Sequence, residues 1–476
     1  MSKEATWSRG MRLALPAALA LAVAMTAIVP ATQAQLAPPT VSNAQAASPV
    51  TEFRLDNGIR VVVIPDHRVP VVTHMVWYAV GAADEGPDEH GVAHYLEHMM
   101  FKGTAAYPKG QFDHFVMRRG GAHNATTSMD VTKYFQRLPK SALAEIMAME
   151  ADRMANLRID DADVASERAV VLEEFRRKEV GISIALDKEV RAALYGQDPR
   201  ARTTIGTEAE IKALSGATAQ RFYERFYDPR RATVVIAGDV SDAEARTLTA
   251  SIYGRIPQRA VLADRVAGRL QIDGLNQRYE ASHERATTVR VGRSYVVPGV
   301  QPMPRREANA AILFGYIAGG GITSRMHRRL VNEQTKATGV SCGFNFDPQA
   351  SMFECAASGH VGVTASDLEP AFDKVLSDLA SDGVTQDEFD EIKSRFLATS
   401  AYRRDNVYDR AQTYGSLLMD GRSIADIEAL ESDVASLTRA DVDRIGKRIL
   451  TLSRHVTGVL TPKPAAEIAT KTSSAN

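Results

Sequence analysis

Only two cysteines, Cys342 and Cys355, occur in 476 residues, which excludes a framework of several disulfides as the device that holds this chain together. Charge of one sign is lacking too. Lys and Arg number 57 against 58 Asp and Glu, so no net field exists to recruit nucleic acid or an acidic membrane surface. Beyond the N-terminus no segment approaches the roughly 20 consecutive apolar residues that a membrane-spanning helix needs. What is present is globular composition, 45% hydrophobic and 24% charged, in a chain too long for one compact core. Two or more domains are expected.

The N-terminus carries the one long apolar run. Lys3, Arg9 and Arg12 precede Leu13 to Val29, which Pro16 interrupts, and the small-residue stretch Thr32-Gln33-Ala34 follows. This order is that of a cleaved export signal over residues 1–34, with Ala44 to Ala47 as a second cleavage region and Met11 as a second candidate start. An uncleaved membrane anchor is the competing reading. Export implies a mature chain outside the cytoplasm, with a bacterial periplasm the best fit. Residues 35–50 form a flexible leader and residues 464–476 a polar tail. A hairpin turning at Asp347 to Ala350 places Cys342 opposite Cys355 and Phe344 opposite Phe353 on one side of a sheet. A disulfide and two buried thiols both satisfy that spacing.

Between leader and tail the pattern changes period twice. Phe53 to Ile64 contains a strand, an Asn57-Gly58 turn and a second strand, and Val71 to Val80 is a further strand. Helical periodicity then runs through Gly91 to Met100, Gly110 to Arg118, Ala142 to Leu157 and Asp161 to Val180, before Thr233 to Asp239 returns as a strand. The second half repeats that order. Strands near Ala286 to Val297 precede helices over Arg306 to Ala318 and Ser324 to Asn332, separated by Gly319-Gly320-Gly321. The cysteine hairpin, helices over Ser366 to Ser381 and Thr385 to Ala401, and a last strand His455 to Leu460 complete it. The expectation is an α+β fold of two similar sheet-plus-helix halves, residues 51–262 and 263–463.

The chemistry concentrates in His94-Tyr95-Leu96-Glu97-His98. Residues four apart share a helix face, so His94 and His98 can aim ring nitrogens at one point while Glu97 lies beside them. Two neutral imidazoles suit Zn²⁺, and a carboxylate next to them suits the base that activates an attacking water. In a chain this poor in histidine, a chance His-x-x-Glu-His is expected on the order of 0.01 to 0.02 times. The competing reading is a pair of unrelated histidines on an amphipathic helix. A catalytic zinc takes three protein ligands, and a third is available in Glu167 to Phe175. There Glu167 and Glu174, seven apart, return to nearly the same face, whereas Glu173 points elsewhere into solvent.

These residues resemble the pitrilysin family of inverted-motif zinc peptidases, which includes insulin-degrading enzyme and the mitochondrial processing peptidases. The likeness spans roughly residues 51 to 462 and is densest in His94 through Thr104. It implies one Zn²⁺ per chain held by His94, His98 and Glu174, with Glu97 as catalytic base and Glu167 as an assisting acidic residue. It implies two halves that enclose a chamber for extended or unfolded peptides, and an edge strand at Gly120 to Thr127 where Asn124 and Ala125 bind substrate through backbone groups. His123 is expected to be a bystander. One departure stands out. Counting from Ser324-Arg325, Val331 and Thr338 fall where many family members place an Arg and a Tyr that contact substrate. A zinc-free homologous subunit supplying that pair, in a heterodimer rather than a homodimer, is therefore expected. A non-catalytic scaffold of the same fold and a hydrolase acting on a non-peptide bond are the rival functions.

Overall fold

The computed structural model describes residues 49–179, 184–259, 262–263, 276–297, 303–346, 351–452 and 454–463. The export signal, nearly all of the leader, the hairpin turn at 347–350, most of the join between the halves and the polar tail lie outside these residues.

Six strands form the first sheet: β1 (Thr51–Arg54), β2 (Arg60–Pro65), β3 (Val71–Tyr78), β4 (Ala122–Thr127), β5 (Thr132–Pro139) and β6 (Ala232–Gly238), in the order β1-β2-β6-β3-β5-β4. The inner neighbours β2 and β6 run parallel and are mostly apolar, as strands covered on both faces must be. Gly58 supplies the left-handed backbone (φ +95°) that the tight turn between β1 and β2 demands. The second sheet contains β7 (Gln277–His283), β8 (Arg290–Val296), β9 (Ala337–Asn345), β10 (Met352–Gly359) and β11 (Arg454–Pro462), in the order β7-β11-β8-β10-β9. Thus β4 ends one sheet and β9 ends the other.

Helices of the first half are α1 (Val92–Met99), α2 (Gln111–Arg118), α3 (Leu143–Asn156), α4 (Asp161–Glu179), α5 (Ile184–Tyr195), α6 (Glu208–Ala213), α7 (Gly216–Phe226) and α8 (Asp242–Ile252). Those of the second are α9 (Arg305–Gly319), α10 (Ala365–Ser381), α11 (Gln386–Asp405), α12 (Val407–Met419), α13 (Ile424–Glu428), α14 (Leu430–Ser436) and α15 (Arg439–Leu452). One face of each sheet packs on the helices of its own half, giving two separate apolar cores. The opposite faces are covered reciprocally. From the second half, α12 lays Ala411 and Leu418 against Val62, Met75, Trp77 and Val235, while from the first half α5 lays Leu194 and Tyr195 against Val296, Met352 and Val456. Each half therefore completes the burial of the other's sheet. A cavity of about 870 Å³ lies between α5, the β4–β5 turn and the second sheet, lined by Ser128, Met129, Arg191, Ser294 and Glu354 among others.

Two expectations are resolved or changed. Cys342 and Cys355 are directly opposed in the β9–β10 register and are joined in a disulfide, with Phe344 and Phe353 opposed next to them at 4.9 Å between ring centroids. The helix expected over Ser324 to Asn332 is instead a wider π-helical segment at His327–Glu333, in which the Gln334 N–H reaches Arg329 O, five residues back. Arg325, buried, is held at the start of this segment by Glu388 and Gly383 O, and Leu330 is fully buried in the core. No helix among the described residues is long and apolar enough to cross a membrane.

Candidate metal centre

Helix α1 begins at Gly91, whose left-handed φ of +86° and close approach to Ile205 O leave no room for a side chain. Tyr95, Leu96 and Met99 turn into the first core, which presents His94, Glu97 and His98 on the other side of the helix. Tyr95 also locks α1 to α4, because its hydroxyl donates to Val164 O at 2.7 Å. Along α4 the seven-residue spacing then brings Glu167 and Glu174 to the histidines.

Glu174 Oε2 lies 3.5 Å from His94 Nε2 and 3.5 Å from His98 Nε2. That is longer than an ordinary hydrogen bond. It matches the separation of roughly 3.4 Å between donors that each sit about 2.0 to 2.2 Å from a shared tetrahedral zinc. These three residues form the one such cluster among the described residues. The donor types fit a zinc site, and all three atoms lie within 4.8 Å of one another.

The carboxylate of Glu167 occupies a different place. Its Oε2 accepts from His98 Nδ1 at 3.2 Å, and its other oxygen pairs with Lys102. This bond puts the His98 proton on Nδ1 and leaves a lone pair on Nε2, the usual orientation of a metal-binding histidine by a carboxylate behind it. Burial pushes the Glu167 carboxyl upward, but the His98 and Lys102 contacts outweigh it and hold it below the ordinary carboxylate value. Glu167 therefore stands behind His98, on the side of the ring away from Glu174.

Glu97 accepts from the Thr127 hydroxyl, which ties it to the end of β4. On that strand Asn124 is exposed and Ala125 is buried, and Asn124 Oδ1 accepts from the Ala125 N–H at 2.9 Å. Among the described residues the strand pairs only with β5. His123 turns toward Asp113 (3.1 Å) and packs on Phe112 and Phe101, away from the cluster. Glu173 pairs loosely with Arg177 at the surface. Lys102 and Thr127 were not singled out by sequence reasoning. The signal for Lys102 was its place four residues after His98, and for Thr127 its alternation with Ala125 on the buried face of an edge strand.

Two sheet-plus-helix halves with a His-His-Glu cluster on paired helices define the pitrilysin-like class. The chain belongs to peptidase family M16: residues 60–208 match the domain described as Insulinase (Peptidase family M16), and residues 213–396 match the Peptidase M16 inactive domain. The zinc protease PqqE of Helicobacter pylori is 26% identical over 418 residues, covering 86% of this chain and 92% of that protein. The beta subunit of the mitochondrial-processing peptidase of Blastocladiella emersonii is 30% identical over 205 residues, 43% of this chain and 44% of that one. Among solved structures, a protease from Helicobacter pylori superposes with a TM-score of 0.81 at 24% identity, over 87% of this chain and all of the other. The periplasmic protease PqqL of Escherichia coli superposes at 0.72 and 20% identity, covering 90% of this chain and 49% of that chain.

Proposed function

We propose that this chain is a zinc-dependent endopeptidase that hydrolyses extended peptides or unfolded polypeptide segments, with one zinc held by His94, His98 and Glu174. The observation that carries this reading is the placement of Glu174 at 3.5 Å from both histidine nitrogens. When bound, zinc supplies Lewis-acid polarisation of the scissile carbonyl and lowers the pKa of a water toward neutrality. Glu97 takes the proton of the attacking water and delivers it to the leaving amine, with Thr127 orienting its carboxylate. Glu167 fixes the tautomer of His98. Asn124 and Ala125 receive the peptide as an added strand on the edge of the first sheet, an incoming backbone displacing the Asn124 carboxamide from the Ala125 N–H.

The test joins metal analysis to one substitution. Purified mature protein should carry about one zinc per chain, and Glu97→Gln should keep that zinc while cleaving peptides at least about 100-fold more slowly. A metal-replete chain without zinc would favour the scaffold reading, and unchanged cleavage by the variant would remove Glu97 from its role.

The same proposal assigns residues 51–262 to a zinc-bearing domain and 263–463 to its zinc-free homologue. It also includes a zinc-free partner subunit. Val331 packs partly buried against the second core, and the Thr338 hydroxyl is spent on Ser358 O, so neither offers substrate what an Arg and a Tyr would. Export to the periplasm rests on the N-terminal pattern. Recovery of the full-length chain from the cytoplasmic fraction would count against it.

A further inference from the structure

Every α-helix leaves its first N–H groups without partners inside the helix, and a glycine at its start has no side chain to accept one. At α1 the acceptor comes from upstream. Glu85 Oε2 accepts from the Gly91 N–H and Glu85 Oε1 from the Ala93 N–H, both at 2.9 Å. The side chain is 3% exposed, and its negative charge sits at the positive end of the helix. His90 Nδ1 lies 3.8 Å from the same carboxylate and 2.7 Å from an Arg202 guanidinium nitrogen. The second of the two bonds ends one residue before His94.

The loop that carries Glu85 is itself fixed. Ala82 and Ala83 donate their N–H groups to Ser128 O and Met129 O at 3.0 and 2.8 Å, in the turn that joins β4 to β5. Thr127, immediately before that turn, bonds Glu97. Two ties therefore run from the edge-strand hairpin to α1, one at its start through Glu85 and one near its end through Glu97. Burying a carboxylate is expensive unless its oxygens are satisfied. Gly91 has no room for a side chain that could cap the helix locally, so the cap comes from Glu85, which also connects the helix to the hairpin.

We propose that Glu85 is a positioning residue of the metal centre, one that sets the start of α1 so that His94 and His98 hold the separation a single zinc ion requires. This rests on the zinc-peptidase reading. Glu85 does not touch the ion or the substrate. It acts through the backbone of Gly91 and Ala93.

The test uses the full chain and Glu85→Gln, which keeps the side chain's shape and one acceptor but sets an amide N–H against the Gly91 N–H. Zinc affinity is measured by competition with a chromophoric chelator, beside kcat and KM for peptide cleavage and the melting of the metal-depleted protein. The expected result is a zinc Kd raised about tenfold and a kcat that falls by more than KM rises, both read in protein that is still folded at the assay temperature although the lost cap lowers its metal-depleted melt. A purely structural cap would lower the melt and leave the affinity of the folded fraction alone. A Kd within twofold of the unsubstituted chain overturns the proposal. Should Glu85→Gln fail to fold, Glu85→Asp, which keeps the charge but is too short to reach both N–H groups, takes its place under the same criterion. Failure of the unsubstituted chain to bind zinc would overturn the zinc reading and this proposal together, whereas equal binding by both proteins overturns this proposal alone.

Discussion

At the scale of single residues, the first half contains a polar chain sealed inside it. His74 is fully buried, with Nδ1 at 2.7 Å from Gln136 Oε1 and Nε2 at 2.9 Å from the Tyr253 hydroxyl. Gln136 Nε2 donates to Glu150, so its Oε1 is the atom that faces His74, and Nδ1 carries the imidazole proton. Glu150 is in turn paired with buried Arg153. Burial drives the His74 pKa below the ordinary histidine value against the opposing pull of Glu150. The unfolded chain therefore binds a proton below about pH 6.5 that the folded chain refuses, and stability falls as pH drops through that range, by at most about 1.4 kcal/mol per pH unit for one proton. Chemical denaturation of metal-depleted protein at pH 7.5 and 5.5 should show this slope, and His74→Gln should show a smaller one. Equal slopes in the two proteins would mean that His74 is not the group responsible.

Elements differ in how far the sequence exposed them. The strands β2, β3 and β6 and the helices α1 to α4 were legible because each carries a clean period or an unbroken apolar run with a glycine or polar residue at its boundary. The proximity of His94, His98 and Glu174 was legible for the same reason, since these residues obey helical spacing within α1 and α4. What joins these elements was not. β5 and β7 mix charged and apolar residues, and α12 carries a glycine at position 415 that argues locally against a helix. That glycine is explained only by a partner 338 residues away in the chain: a Cβ on Gly415 would stand 2.2 to 2.5 Å from the buried Trp77 ring on β3. Gly415→Ala should thus lose more by overpacking, about 1 to 3 kcal/mol, than it recovers in helix propensity, at most about 1 kcal/mol. The melting temperature of the variant should fall. A rise would show that α12 seats differently on the first sheet.

The whole molecule poses the question of what its catalytic unit is. One half holds the His-His-Glu cluster, while in the other, counted along the sequence, Val331 and Thr338 fall where the family resemblance implies an Arg and a Tyr. Both side chains are already committed, Val331 to the second core and Thr338 to Ser358 O. Reciprocal packing by α5 and α12 joins the halves through apolar faces and through Lys133, whose ammonium donates to Gln412 at 2.7 Å. The second half is thus fixed beside the first, and rearrangement within one chain would not supply the Arg and Tyr that the proposed reading requires. A second polypeptide can. Peptide cleavage by this chain alone should therefore be slow, and addition of a zinc-free homologue that retains the Arg and Tyr should raise kcat. Co-purification of the two should yield a complex with one zinc per pair. Replacing that partner's Arg should abolish the gain without releasing the complex, since the residue serves substrate rather than assembly. Full activity from this chain by itself, at concentrations where it is monomeric, would show that Val331 and Thr338 mark a different way of holding substrate.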